Sequence, residues 1–383
     1  MAPGRKPRDD GDGDGDGDSE MVAESVYLVT ARDDDQAAYT VLKVDGAAAA
    51  QTVAELPGGE PGMSFVAAHS KHGSWIVAVG GGLRAGTIIF DPSTSATYRG
   101  PRLVEPMHKP VLISHGGQVY ALSRRPRVVP GMDFEPWFES LSFKEGVPSL
   151  DGEALVGWDR LPSPPFFPLS LDPYEFRNPP EIVVSSYAAV GPYILVSPQP
   201  ELLVGTYAFH VVNKTWEKVH DKNLPFVGHA VPVGGSLFAA CPISNKAVTD
   251  SASLFYMSID SSPSTPLAAV SRPSLLLHEF PVITSVPKVG PLFCPLGKGR
   301  FCSVRSVSFS GSHGKANLLK EVQVILAAFK TDMQTEIIEA ILTACQSQGA
   351  EVNNLQLALR VKEQSRTYDL LDSSMLVVAA LSM

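Results

Sequence analysis

The stretch GTYAFHVVNKTWEKVHDKNLPF, residues 205–226, reads as a strand, a polar turn, a second strand carrying a tryptophan, and an exit through Leu-Pro. It is not alone. GTIIFDPSTSATYRGPRL (86–103) shares Gly-Thr, then two residues and a phenylalanine, a polar turn, and a threonine followed by an aromatic residue. VGWDRLPSPPF (156–166) repeats the tryptophan and the Leu-Pro exit, and AQTVAELPGG (50–59) repeats the exit after AYTVLKVD (38–45). HEFPV (278–282) is a degenerate exit after SLFYMSID (253–260). A repeated strand-turn-strand unit constrains the fold more than any single residue, because one such unit cannot bury its own apolar faces.

Composition supports many short strands over long helices. Glycine and proline number 32 each without collagen periodicity, and Gly-Gly pairs at 58, 81, 116 and 234 mark the ends or starts of runs. The unit becomes strand, Gly-rich turn, strand, loop, aromatic strand, polar turn and closing strand, which is the plan of a four-stranded propeller blade. Six blades fit the 359 residues after residue 24. They fall at 62–104, 109–163, 181–226, 228–282 and 283–372, with a first blade at 25–57 completed by residues 374–380 as its fourth strand. The aromatic residues of the outer strands, Trp158 and Trp216 among them, fill the space between neighbouring blades.

Trp158-Asp-Arg-Leu-Pro-Ser-Pro-Pro-Phe166, with Thr215-Trp216 and Leu224-Pro-Phe-Val-Gly228, resembles kelch-type repeats. More narrowly, the chain is similar to a plant family, expanded in grasses, known only as a domain of unknown function. The resemblance covers most of residues 25–372, implies an all-β, kelch-like propeller and carries no catalytic residue with it. The single propeller domain is expected to span 25–383, closed by its N- and C-terminal strands. Many plant kelch proteins begin with an F-box. Only residues 1–24 precede the first strand here, which disfavours a ubiquitin-ligase adaptor role by that route.

Two segments depart from the repeat. TDMQTEIIEAILTACQSQG (331–349) has Thr331 and Gln334 as a capping box, Gly349 as a stop, and Met333, Ile337, Ile338, Ile341, Leu342 and Cys345 on one face. It predicts a helix at about 332–348, inserted between the last strands. DDGDGDGDGDSE imitates the first half of a calcium loop. Each register fails, however: position 12 is Met21, Ala23 or Ser25 where a bidentate Glu is required. The acidic Gly/Asp tail, 1–24, is expected to be disordered.

The search for chemistry assigns no catalytic, cofactor-binding or metal-ligating residue. Gly80, Gly82 and Ala85 match a dinucleotide fingerprint, but β-branched TIIFDP follows where a helix is needed. GPLFCPLGKG (290–299) has six residues between glycines, and Gly299 where a P-loop needs Ser or Thr. His69 and His72 lie on a strand end and its turn, and do not share a face. A copper site of scattered tyrosines and histidines, as in galactose-oxidase-like propellers, has no local motif behind it. Four cysteines, at 241, 294, 302 and 345, lack zinc spacing and read as free thiols.

The net charge of −9 comes from 31 basic and 40 acidic residues, and it argues against phosphate-backbone binding of nucleic acid. No apolar run approaches a membrane span, and the N-terminus lacks the apolar core of a signal peptide. The expectation is a monomer in the cytoplasm or nucleus, a non-catalytic scaffold for an unidentified protein partner, without nucleic acid, membrane or cofactor. Its proline-rich loops at 124–136 and 159–180 are candidate surfaces. The alternative is a kelch-fold enzyme or carbohydrate-binding protein. A nuclear role through GRKPR (4–8) rests on three basic residues.

Overall fold

The computed structural model describes residues 25–32, 39–45, 49–81, 86–126, 137–148, 157–244, 247–260, 273–285, 288–310, 320–331, 359–370 and 375–383. The acidic tail, the helix expected at 332–348, and most of the loop at 124–136 lie outside them. The protein is all-β and propeller-like.

Its strands form antiparallel units of four. The first is Val26–Arg32 (β1), Tyr39–Val44 (β2) and Gln51–Leu56 (β3). The second is Met63–Ser70 (β4), Gly73–Gly80 (β5), Thr87–Asp91 (β6) and Ala96–Gly100 (β7). The third is Val111–His115 (β8), Gln118–Leu122 (β9), Phe138–Ser142 (β10) and Asp159–Arg160 (β11). The fourth follows the short helix Pro173–Arg177 (α1): Val184–Val190 (β12), Tyr193–Pro198 (β13), Thr206–His210 (β14) and Thr215–His220 (β15). The fifth is Phe226–Gly234 (β16), Leu237–Ser244 (β17), Ser253–Asp260 (β19) and Ser274–Ile283 (β20), with Ala247–Val248 (β18) as a short side pairing on β17. The sixth is Leu292–Gly297 (β21), Arg300–Ser310 (β22), Lys320–Thr331 (β23) and Leu359–Asp369 (β24).

The last strand, Met375–Ser382 (β25), returns to the first unit. It runs antiparallel to β1, from Val26↔Ser382 to Arg32↔Met375, giving the order β25-β1-β2-β3. Short parallel pairings, β12 with β16 and β20 with β24, join the last three units into one extended sheet.

The reason for this stacking lies in the sequence period. Successive residues of a strand point to opposite faces, and the central strands of the units carry buried apolar residues on both. In β6, Ile88 and Phe90 pack toward the first unit while Ile89 packs toward the third. In β13, Ile194 and Val196 face the third unit, and Tyr193 and Leu195 the fifth. Among the described residues, the buried apolar side chains fall into six clusters, and each lies between two consecutive units. The seam clusters are the core. The sixth seam joins Cys294, Cys302 and Leu326 to Leu28 and Leu42, last unit to first.

The first strand of each unit, with β25 serving the first, touches its counterparts in cyclic order: β25, β4, β8, β12, β16, β21 and back to β25.

The repeat motifs now have physical meanings. The threonine of each Gly-Thr pair is buried and uses its hydroxyl to hold the exit of its own unit. Thr87 Oγ1 donates to the Pro101 carbonyl at 2.7 Å, and Thr206 Oγ1 to the Lys222 carbonyl at 2.8 Å. The tryptophans reach across a seam to the previous unit's exit proline. Trp158 Nε1 donates to Pro101 O (3.2 Å) and Thr87 Oγ1 (3.0 Å), and Trp216 Nε1 to Pro162 O (2.6 Å).

The structure corrects two details. Tyr98 does not occupy the tryptophan slot. Phe209 pairs with Trp216, but Phe90 pairs with Thr97, and Tyr98 opposite Ile89 faces the other way with 41% of its surface exposed. One residue of offset in the turn flips the side chain across the sheet. Trp216 is also only half-buried, leaning on Phe138 and Phe209, whereas Trp158 is fully buried.

The loop at 159–180 divides its roles. Phe167 is buried against the third and fourth units. Asp172 caps α1 through a reciprocal box with Glu175, and Leu169, Tyr174 and Phe176 stand exposed.

Candidate functional site

The inner strands surround a channel of about 580 Å³. The residues that line it are mostly apolar and include no aspartate or glutamate. Its polar groups come from separate units.

Lys109 stands just before β8, and Arg124 just after β9. Because β8 and β9 are antiparallel, with Val111 opposite Leu122, both fall at the same end. Lys109 has φ +49°, the left-handed region that a lysine occupies at a cost of roughly 1 kcal/mol or more. Among the described residues, the other non-glycine positions of this kind, Ser95, Lys214 and Lys298, all sit in hairpin turns. Lys109 is held in place from both sides. Its N–H donates to the Gly62 carbonyl at 2.7 Å, and its carbonyl accepts from Arg124 Nε at 3.1 Å. Gly62 (φ +87°) cannot carry a side chain there, since a Cβ would meet the His108 ring at 2.2 Å.

In the same channel, Tyr187 on β12 pairs with His229 on β16, and their rings stack at 5.1 Å and 9°. A bulge in β16 between Val227 and Val231, with Gly228 at φ +78°, turns His229 onto Tyr187. Bulges commonly re-aim a side chain in this way. The Ser186 hydroxyl donates to the Phe226 carbonyl and ties the two strands at that point. Arg124 hydrogen-bonds the Tyr187 hydroxyl, so the three residues form one connected group.

Burial sets their protonation. His229 is partly buried, with some of its surface on the channel. The lost solvation of the imidazolium lowers its pKa to about 4. Burial raises the Tyr187 phenol, and the positive Arg124 beside it partly opposes that rise. At neutral pH His229 therefore presents a neutral imidazole and Tyr187 a protonated phenol, beside the side chains of Lys109 and Arg124.

A second buried polar cluster has a different purpose. The Glu139 carboxylate accepts the N–H groups of Val104 (2.9 Å) and Glu105 (2.8 Å), and Glu105 pairs with Arg160. Burial raises the Glu139 carboxyl. Its oxygens are occupied by the exit loop of the second unit, so this is a seam fastening.

Of the histidines singled out by spacing, His69 lines the same channel but at the far end of β4 from Lys109. His69 is exposed, with Nδ1 at 2.8 Å from Ser74 Oγ, and His72 lies in the following turn. Seven residues of extended chain, roughly 20 Å, separate His69 from Gly62 and the Lys109 end. Among the described residues no group of three or more His, Cys, Asp or Glu is placed to hold a metal ion. Gly80 leads toward strand β6, and Lys298-Gly299 is the turn between β21 and β22. Cys241, Cys294 and Cys302 are buried free thiols, and Cys345 lies outside the described residues. No described helix is long and apolar enough to cross a membrane.

Sequence reasoning missed Lys109, Arg124, Tyr187 and His229 as a set. They come from the third, fourth and fifth units and share no local motif. The only local signal is the pair of cationic residues flanking β8 and β9, and it acquires meaning only when the ring closes.

One family model, described as a protein of unknown function (DUF1668), matches residues 23–368. The match begins before β1 and ends in β24, leaving β25 outside. No curated protein matches the chain.

Proposed function

We propose a function for a chain that belongs to the DUF1668 family: a six-bladed, kelch-like propeller serving as a non-catalytic scaffold for an intracellular protein partner. The observation that carries this reading is the cyclic contact of six inner strands around a channel. Such a ring is rigid, and loops on a rigid scaffold are where recognition concentrates. The exposed Leu169, Tyr174 and Phe176 beside α1 extend the contact surface outside the channel. The plant setting and kelch kinship belong to the same proposal.

The test is affinity purification of the full chain with cross-linking, run beside the variant Leu169→Asp/Tyr174→Asp. Both residues are exposed, so the variant is expected to fold normally and to lose or weaken capture of a reproducible partner. Stoichiometric bound metal with substrate turnover, or glycan-array binding without any protein partner, would replace the scaffold by the enzyme or carbohydrate-binding reading.

A further inference from the structure

We infer that the Lys109–Arg124 end of the channel binds an anionic group, a carboxylate or a phosphate, presented by the scaffold's ligand; this deepens the scaffold reading and rests on it. Four observations converge.

The first is charge. The chain carries −9 overall, yet the residues lining this channel include two cations and no carboxylate. The second is pairing. Among the described residues neither Lys109 nor Arg124 forms an ion pair, so no carboxylate of the protein already occupies them.

The third is preorganisation. Arg124 is held through Nε by the Lys109 carbonyl and by the Tyr187 hydroxyl. A guanidinium has five N–H donors in a fixed fork, so donors remain for a ligand whose arrival need not freeze the side chain. A planar fork suits a carboxylate or phosphate, and the nearby ammonium adds a second positive charge. The fourth is room. The channel is large enough to admit the end of a side chain or a small anion, and Tyr187 and His229 add polar groups to the same lining. Lys109 keeps a left-handed backbone here outside any hairpin turn, which fixes where its side chain leaves the loop.

The experiment uses the full chain at low ionic strength. Fluorescein-labelled tetraglutamate and tetraglutamine peptides are titrated by anisotropy, with inorganic phosphate as competitor. Tetraglutamate is expected to bind at least about tenfold more tightly than tetraglutamine, and Arg124→Gln to weaken it by about tenfold or more. Lys109→Asn should weaken it by a smaller factor without straining the fold, because asparagine tolerates a positive φ.

Displacement of the peptide by submillimolar phosphate supports the site and identifies a free phosphate as its source. Displacement only at far higher phosphate supports it with a peptide carboxylate as the source. If R124Q melts early, K109N and Tyr187→Phe decide. Equal binding of the two peptides, binding of neither probe, or affinities unchanged within twofold in folded variants would overturn the inference. Partner capture that survives in K109N/R124Q alongside absent anion binding sinks this inference and leaves the scaffold reading standing. Anion binding with no partner captured does the reverse.

Discussion

The seam between the second and third units and the seam between the sixth and first do the same job with different means. At the former, Trp158 fills the gap beside Trp75 and Phe143, its indole fastens to Pro101, and Glu139 grips the backbone of the exit loop. The latter is built mainly of aliphatic side chains, with Tyr368 and two thiols, Cys294 and Cys302, and the first unit beside it is completed by the backbone ladder of β25 along β1. Consecutive units are already tethered by a short connector, so a few side-chain fastenings suffice to set their angle. The closing seam joins strands from opposite ends of the chain. Bringing them together costs closure entropy, and a whole strand with its hydrogen bonds offsets it.

The sharpest way to break this comparison is to remove residues 373–383. That strips β1 of its partner and bares a sheet edge, and the product should be insoluble or lose its cooperative unfolding transition. A soluble truncation as stable as the full chain would show that the closing ladder contributes little. Trp158→Ala should cost about 3–5 kcal/mol in denaturant unfolding, the usual loss for a buried aromatic. A loss under about 1 kcal/mol would mean the side-chain fastening is dispensable.

Acid separates the seams in another way. His229 sits between the fourth and fifth units with its pKa lowered from 6.5 to about 4. Between those values the unfolded chain binds the proton and the folded one does not, so stability rises with pH across this window. Its contribution is full above about pH 6.5 and is lost on acidification to pH 4, by at most about 3 kcal/mol. The difference in unfolding free energy between pH 7 and pH 4 should shrink in His229→Asn. An unchanged pH profile would remove His229 from the account.

Trp216→Ala should cost only roughly 2 kcal/mol, because that ring is half-exposed and less apolar surface is lost. If it matched Trp158, burial would not be what distinguishes the two. The smallest effect is on thiol chemistry. Cys302 is held well above the usual thiol range by its hydrogen bond to Cys294 and by burial, and Cys241, in the seam of the fifth and sixth units, is pushed up to about 11 by burial. None of the three buried thiols, Cys241, Cys294 and Cys302, should react appreciably with iodoacetamide in the native protein at neutral pH. In mild urea, Cys294 and Cys302 should label before Cys241 if the closing seam opens first; the reverse order would place the weak seam elsewhere.

What could be read directly from the chain followed distance along it. Strand identity came from apolar alternation and glycine turns, and the role of the Gly-Thr and tryptophan positions came from their recurrence at similar spacing. Tyr98 shows the limit of that reading, because aromatic identity was visible while a one-residue offset in the turn was not. The channel group was hidden for a different reason. Lys109, Arg124, Tyr187 and His229 are brought together by ring geometry, and nothing about the neighbours of His229 at 227–231 announces that its ring will rest on Tyr187.

The return of β25 to β1 also has a consequence for synthesis. The ribosome finishes β3 at Leu56 but does not reach Met375 until about 320 residues later, which at common elongation rates is on the order of 20–60 seconds. Throughout that interval the nascent first unit lacks its innermost strand and offers an open edge to any extended segment nearby. A chaperone that covers β1, or a slow stretch of translation late in the message, would therefore change the yield of native protein without altering a single contact in the finished ring.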